Sequence, residues 1–405
     1  YDTFGLPREM TVEIASEHGL TVDMEGFEAA MARQRERSRA AVTGLSIHGG
    51  STIATKLQPT EFAGYDETVI RASVQAIVVE GELAESLSEG TEGALVLDRT
   101  SFYAERGGQV GDQGVISGEG FRFEVSDKQP LGEAVAHTGR LVEGTVNTGD
   151  AVTASVDSDR RDATRRHHTA THLLHAALRQ IVGGHVKQAG SLVGPERLRF
   201  DFSHHQAIDR DALVQVEEQV NRWILEDLPV DVQFMDLDEA RESGAVALFD
   251  EKYGQTVRTV RVGGESFELC GGIQACRTGE IGSLRVLAES SVAAGTRRIE
   301  AVVGLAAVRH SREADERLQA LSRELNCPGE EIAERIEAQR QRIRELEREV
   351  EQARQMSAAI NVPDLVAGAV EVAGVKLVAS TIAGADREAL KSLADEIVER
   401  LGSGV

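Results

Sequence analysis

Cysteine is scarce in this chain, and so are aromatic rings. Among 405 residues stand three cysteines, one tryptophan, four tyrosines and seven prolines. Three thiols cannot build a disulfide framework, so a reducing cytoplasm is the natural compartment. Long apolar runs are missing too. No stretch approaches the roughly 18 residues of a membrane span, and no signal peptide is visible. Positive charge is in short supply: 44 Lys and Arg face 67 Asp and Glu, a formal net charge of −23. That balance argues against indiscriminate nucleic-acid binding, because phosphate contacts need Lys and Arg. A specific RNA partner stays open, since local charge counts for more than the total. Length sets the scale, because a chain of 405 residues exceeds one ordinary core and calls for about two to four domains.

Against that plain background two groups of metal-ligand residues stand out. Residues 168–172 read His-Thr-Ala-Thr-His, and helical spacing puts His168 and His172 on one face. The run Cys270-Gly-Gly-Ile273-Gln274-Ala-Cys276 follows about a hundred residues later, a thiol offered from a glycine-rich turn. Zinc takes imidazole nitrogen and thiolate sulfur in a tetrahedral array, and catalytic sites keep three protein ligands with one position open. Taken alone, a His pair on a partly apolar helix is more often structural. His167 and His175 flank the motif and are read as lying off the ligand face. Arginines cluster at 160, 161, 165 and 166, and again at 297 and 298; a lone cluster of this kind is usually a solvated face.

Periodicity gives the coarse organisation. Residues 7–42 read as two helices split near Gly19, and 43–64 as connecting sequence. From 65 to 157 short alternating segments, Val74-x-Ala76-x-Val78 and Phe121-x-Phe123-x-Val125, point to a small β-barrel with Glu105–Gln109 as a tight loop at its edge. Residues 158–304 read as an α/β unit. Leu174, Ala177, Leu178 and Ile181 stripe the His-bearing helix, a second helix covers 209–227, and strands fall at 197–202, 257–262 and 282–286. Leu318, Leu321 and Leu325, then Ile332, Ile336, Ile343, Leu346 and Val350, predict two antiparallel helices joined at Asn326-Cys-Pro-Gly329. Residues 370–378 read as one strand and 386–401 as an amphipathic helix.

The motifs and their order resemble the alanyl-tRNA synthetases. Tyr1-Asp-Thr-Phe-Gly-Leu-Pro7 looks like the close of that family's tRNA-recognition domain. Phe102-Tyr-Ala-Glu-Arg-Gly-Gly-Gln-Val-Gly-Asp112 is similar to its glycine motif. Gln188-Ala-Gly-Ser-Leu-Val193, Leu198-Arg-Phe-Asp-Phe-Ser-His204 and Gly295-Thr-Arg-Arg-Ile-Glu-Ala301 match further blocks in order. The likeness covers essentially the whole chain.

The resemblance implies a multidomain α+β fold. Its parts are a helical end of the tRNA-recognition domain at 1–45, a linker at 46–64 and the barrel at 65–157. An α/β editing domain with its HxxxH helix packed on a sheet follows at 158–304, then an antiparallel helical hairpin at 305–362 and a truncated carboxy-terminal domain at 363–405. It also implies that the chain is a fragment. The domain that activates alanine with ATP and Mg2+ is expected to be missing, along with most of the carboxy-terminal domain, through which the longer enzyme could form a homo-oligomer.

The implied partner is tRNA(Ala), with its mischarged seryl and glycyl forms as substrates, and the implied cofactor is Zn2+. His168, His172 and Cys270 match zinc positions, while Gln274 stands where the family has a final His and Ile273 where it has Thr. An amide is a much poorer zinc ligand than imidazole. Three readings stay open. Zinc binds through three ligands with Gln274 holding a water, Cys276 swings in as a substitute, or zinc binds weakly or not at all. Gln188 matches a pocket-lining position. Thr171 and Ser191 are candidates for recognising a serine hydroxyl. Arg165, Arg166, Arg297 and Arg298 are candidate phosphate contacts, with Glu300 orienting one of them. Gly107, Gly108 and Gln109 are expected to face the acceptor end of the tRNA, and Asp2 to lie near the wobble-pair readers. Two further functions compete with an active editing hydrolase: a tRNA-binding module with a decayed site, favoured by Ile273 and Gln274, and a free-standing trans-editing protein.

Overall fold

Strict alternation of apolar and polar residues builds the first structured region. The computed structural model describes residues 57–247, 253–358, 361–382 and 387–402, with short pieces at 22–23, 26–27, 53–55 and 385. The two helices read over 7–42, and Asp2, lie outside the described residues apart from those short pieces. Among the described residues, the strands before the first long helix are β1 (Glu61–Phe62), β2 (Val69–Val79), β3 (Glu82–Ala84), β4 (Ser86–Ser88), β5 (Glu92–Leu97), β6 (Arg99–Thr100), β7 (Gly114–Gly118), β8 (Phe121–Leu131), β9 (Ala134–Glu143), β10 (Thr145–Asn147) and β11 (Ala151–Val156). Six of them close into an antiparallel barrel in the order β11-β7-β8-β9-β5-β2, with β2 paired back to β11. Closure leaves the barrel no free edge.

Along β8 the reading is direct: Phe121, Phe123 and Val125 are buried while Arg122 and Glu124 are exposed. Along β2 it needs correction. A bulge falls between Val74 and Ala76, so Val74 and Ile77 fill the barrel while Ala76 and Val78 join an outer cluster with Val96, Leu131 and Ala136. One extra residue flips every later side chain to the other face. The expected linker also contributes structure, because β1 pairs in parallel with β6.

The barrel hands over to helix α1 (Ser158–Ile181), capped by the Asp157 carboxylate, which accepts from the backbone N–H of Arg160. Arg161 fixes the junction. Fully enclosed, it donates to the carbonyls of Gly64 and Ser101 and pairs with the Asp112 carboxylate. The rest of this region comprises β12 (Gln188–Val193), β13 (Leu198–Ser203), α2 (Arg210–Leu225), β14 (Val230–Asp236), α3 (Leu237–Glu242), β15 (Thr256–Val262), β16 (Ser266–Leu269), β17 (Leu284–Ala293) and β18 (Thr296–Val303). Instead of one sheet of α/β type there are two, both antiparallel: β12-β13-β18-β17 and β14-β15-β16. Short returns such as the one at Gly295, with φ +73°, allow hairpins where an α/β fold needs crossovers. Leu173, Leu174, Ala177 and Leu178 of α1 pack with Phe200, Phe202, Ile299 and Trp223 in one core.

The chain divides into two compact units, 1–311 and 312–405. The second holds most of α4 (Leu305–Leu325), then α5 (Ile332–Ala358), α6 (Val362–Ala367), a hairpin of β19 (Val370–Val372) with β20 (Val375–Leu377), and α7 (Arg387–Leu401). Asn326 takes φ +49° at the turn after α4, as a helix stop before Pro328 requires. Of the apolar stripes on α4 and α5, Ile332 is buried and Leu325 and Ile336 are half-buried near the turn, while Leu318, Leu321, Ile343, Leu346 and Val350 are exposed. The single strand expected over 370–378 is in fact a hairpin. Ala373 and Gly374, at φ +52° and +82°, form the two-residue turn between β19 and β20.

Candidate metal centre

The site is built on α1. His168 and His172 stack with ring centroids 5.3 Å apart and planes 5° from parallel. Their Nε2 atoms and the Cys270 sulfur all lie within 4.8 Å of one another, the one such cluster among the described residues. Which nitrogen faces the sulfur is set from behind. His168 Nδ1 donates to the Gln109 side-chain oxygen at 2.7 Å, and His172 Nδ1 donates to the Glu268 carboxylate. Both partners accept only at those atoms, so each Nδ1 keeps its proton and Nε2 is the nitrogen left to face a metal. A zinc-binding histidine needs that arrangement, and outer partners of this type are what hold it. Burial opposes charge on His172, but Glu268 and Cys270 beside it raise its pKa to about 10.

Neither outer partner was singled out as such from the sequence. Gln109 was expected to face tRNA. It is 1% exposed, and its oxygen also accepts the N–H of Ile273 at 2.9 Å, so it is a support beneath the site. Glu268 precedes Cys270 by two residues on β16 and accepts from His175 Nδ1 as well, at 2.7 Å. The reading of His175 as off the face fails here. Seven residues return a helix to within about 20° of its starting direction, so His168, His172 and His175 share a side. Burial opposes charge on Glu268, but His172 beside it and the hydrogen bonds from His172 and His175 hold its pKa down at about 2. Burial likewise resists a charged Cys270, and His168 and His172 override it, keeping the thiol well below its ordinary range. His167 does lie elsewhere: its Nδ1 donates to the Ala163 carbonyl and its Nε2 accepts from the N–H of Val303.

The loop bearing Cys270 is held carbonyl by carbonyl. Arg258 Nη1 donates to the oxygens of Cys270 and Gly272, at 2.8 and 2.9 Å, and Tyr65 donates its hydroxyl to Gly271 at 2.8 Å. The Arg258 guanidinium lies 4.3 Å from the Tyr65 ring centre. Gly272 N–H points at the sulfur at 3.4 Å. Beside the loop opens a cleft of about 310 Å³ lined by Tyr65, Tyr103, Arg106, Phe234, Arg258 and Cys270.

The chain is similar to known proteins along its whole length. A family model described as "tRNA synthetases class II (A)" matches residues 1–160, and one described as "Threonyl and Alanyl tRNA synthetase second additional domain" matches 257–300. The protein called "Alanine--tRNA ligase" from Halorhodospira halophila is 46% identical over 405 residues, covering 100% of this chain and 46% of that protein. The one of the same name from Idiomarina loihiensis is 43% identical over 406 residues, again covering 100% of this chain and 46% of its own length. The chain belongs to the alanyl-tRNA synthetase family. It spans about half the length of the curated relatives it matches.

In this alanyl-tRNA synthetase chain the remaining expected site residues are distributed unevenly. Cys276 is exposed and outside the cluster, and its carbonyl accepts from Val230 N–H. Thr171 spends its hydroxyl on the His167 carbonyl one turn back, and Thr169 is the threonine that reaches the Cys270 loop. Gln188 and Ser191 are hydrogen-bonded to each other at 3.1 Å on edge strand β12. They stand opposite Phe202 and Phe200, on the face that α1 covers. Gly107 is exposed, whereas Gly108 presses on Ser191 so closely that a Cβ would fall 2.3 Å from its hydroxyl.

The arginines expected on phosphates have protein partners. Arg297 is paired bidentately with Glu289 and Arg298 with Asp201, because each sits beside a carboxylate on a neighbouring strand. Arg165 pairs with Asp162 and Glu280, and Arg166 lies 3.9 Å from Asp162. Glu300 pairs with Arg197, not with Arg297 or Arg298. Among the described residues no helix is long and apolar enough to cross a membrane.

Proposed function

We propose that this chain carries the editing activity of an alanyl-tRNA synthetase, hydrolysing the ester that joins serine or glycine to the terminal adenosine of tRNA(Ala). A pocket built for alanine cannot exclude the smaller glycine by size, and it rejects an added hydroxyl poorly, so a second hydrolytic site is the physical remedy. The observation that carries the reading is the convergence of His168, His172 and Cys270, of which the cysteine also lines the cleft of about 310 Å³. Their donor set and the fixed Nδ1 protons fit Zn2+, which when bound supplies a positive centre that polarises an ester carbonyl or a water.

The protein's own residues do the rest. Gln109 and Glu268 orient the imidazoles, and Arg258 with Tyr65 fixes the loop. Tyr65 and Phe234 offer ring faces to the terminal base, since base stacking is tolerant of sequence and strong. Arg106, at the same mouth, is placed for a phosphate. Gln188 and Ser191 form a polar pair for the ribose or the serine hydroxyl. Arg165, Arg166, Arg297 and Arg298 serve tRNA binding through the faces that their carboxylate partners leave free.

The longer protein would ligate alanine to tRNA(Ala) with ATP and Mg2+, act in the cytoplasm, and form any homo-oligomer through its carboxy-terminal region. Within that longer protein this chain would carry the domains laid out above, with the editing domain at 158–304. A second reading, a tRNA-binding module with a silenced site, rests on Gln274 at the ligand position. One mutant separates the two. His168→Ala is expected to lower hydrolysis of seryl-tRNA(Ala) by about a hundredfold or more while tRNA affinity stays within about twofold. Undiminished hydrolysis in that mutant removes the pocket from the mechanism; no hydrolysis in the zinc-loaded parent, with tRNA bound, favours the silenced module.

A further inference from the structure

The side chain that replaces the fourth histidine has two unlike ends, and the structure records which end faces the metal ligands. Gln274 Nε2 lies 3.2 Å from His172 Nε2 and 3.4 Å from the Cys270 sulfur. Its Oε1 points away and accepts the Thr169 hydroxyl at 2.8 Å. Thr169 is fully buried on α1, and its oxygen is already the acceptor for the N–H of Ala275 at 2.9 Å. A hydroxyl has one proton to give. With the amide reversed, that proton would meet an NH2 group, and the amide oxygen would face the Cys270 sulfur, a group that accepts. Both changes cost what unmade buried hydrogen bonds cost, so Thr169 locks the orientation. An amide NH2 has no lone pair to offer a metal.

We propose that this site takes its metal through three protein ligands alone, and that Gln274, clamped by Thr169, is a hydrogen-bond donor aimed into the fourth coordination position. That position is thereby kept for a small anionic or oxygen donor from solution. The proposal rests on the zinc reading above and adds to it: the histidine-to-glutamine change opens the site and leaves it able to bind metal. Thr169 is a positioning residue in this scheme, acting through Gln274.

Cobalt(II) titrated into the metal-free 405-residue chain reports both levels, since its spectrum reads thiolate ligation and coordination geometry separately. A thiolate charge-transfer band is expected, followed by a saturable change in the visible bands when azide is added. Gln274→His is expected to bind cobalt about tenfold more tightly and to lose the azide response. Thr169→Val frees the amide to turn its oxygen inward and is expected to weaken azide binding about fivefold or more with the thiolate band intact, while Thr169→Ser keeps the parent response. Absence of any cobalt binding overturns the metal reading and this one with it. Cobalt binding with no azide response in the parent, or an unchanged response in Thr169→Val, overturns the clamped donor alone.

Discussion

Two adjacent glycines at the metal loop have opposite tolerances. A Cβ on Gly272 would fall 2.0 Å from His168 Cε1 and 2.8 Å from the Gln109 oxygen, whereas one on Gly271 meets nothing within 4 Å. Gly272→Ala is therefore expected to push the His168 ring from its partner and lower zinc affinity by about tenfold or more, while Gly271→Ala stays within about twofold, both measured by competition with a chromophoric chelator. At this scale the sequence was readable where spacing alone carries meaning: two histidines one turn apart and a thiol on a glycine turn. It was silent on the residues that make those ligands usable. Gln109 reaches His168 across 59 positions, Glu268 reaches His172 across 96, and Thr169 reaches Gln274 across 105. Such contacts exist only once the fold has formed. His175 is different: helical arithmetic places it on the ligand side, and the short window of the motif hid it.

Elements were legible wherever a start or stop signal accompanied the period. Helix α1 begins at the Asp157 cap and keeps one apolar stripe, and both features stand in the sequence. Errors arose where a single residue changes the geometry, at the bulge after Val74 and at the Ala373-Gly374 turn. The attachment of α1 to the barrel depends on one buried pair. Arg161 and Asp112 are each 4% exposed, and the arginine also satisfies two barrel carbonyls. Arg161→Leu strands the Asp112 charge and is expected to cost about 3 kcal/mol, seen as a lower urea midpoint. Arg165→Leu, whose pairs with Asp162 and Glu280 are partly exposed, is expected to cost about 1 kcal/mol or less. Equal losses in the two variants would refute the joint.

For the whole molecule the consequence is acid lability. Burial holds His137 and His167 at a pKa of about 4, against 6.5 when exposed. Both are neutral in the fold, His137 between the Leu95 carbonyl and the Thr100 hydroxyl. Between pH 6.5 and 4 the unfolded chain binds protons that the folded chain refuses, so this stabilisation is complete above pH 6.5 and drains away as pH falls through 4. Each histidine stands for roughly 3 kcal/mol across that window. The melting temperature is expected to fall steadily from pH 7 to pH 4, and His137→Asn to fall less steeply. A flat profile would contradict the buried neutral rings.

The anchoring of the Cys270 loop has a consequence for descent. Tyr65 and Gln109 belong to the barrel region, yet one holds the loop's backbone and the other sets the proton on His168. A recombination event that exchanged the helix-and-sheet region alone, with its breakpoint near residue 157, would bring in all three ligands and leave behind two of the groups that aim them. The helix-and-sheet region thus carries the ligands, and the barrel region carries part of what aims them.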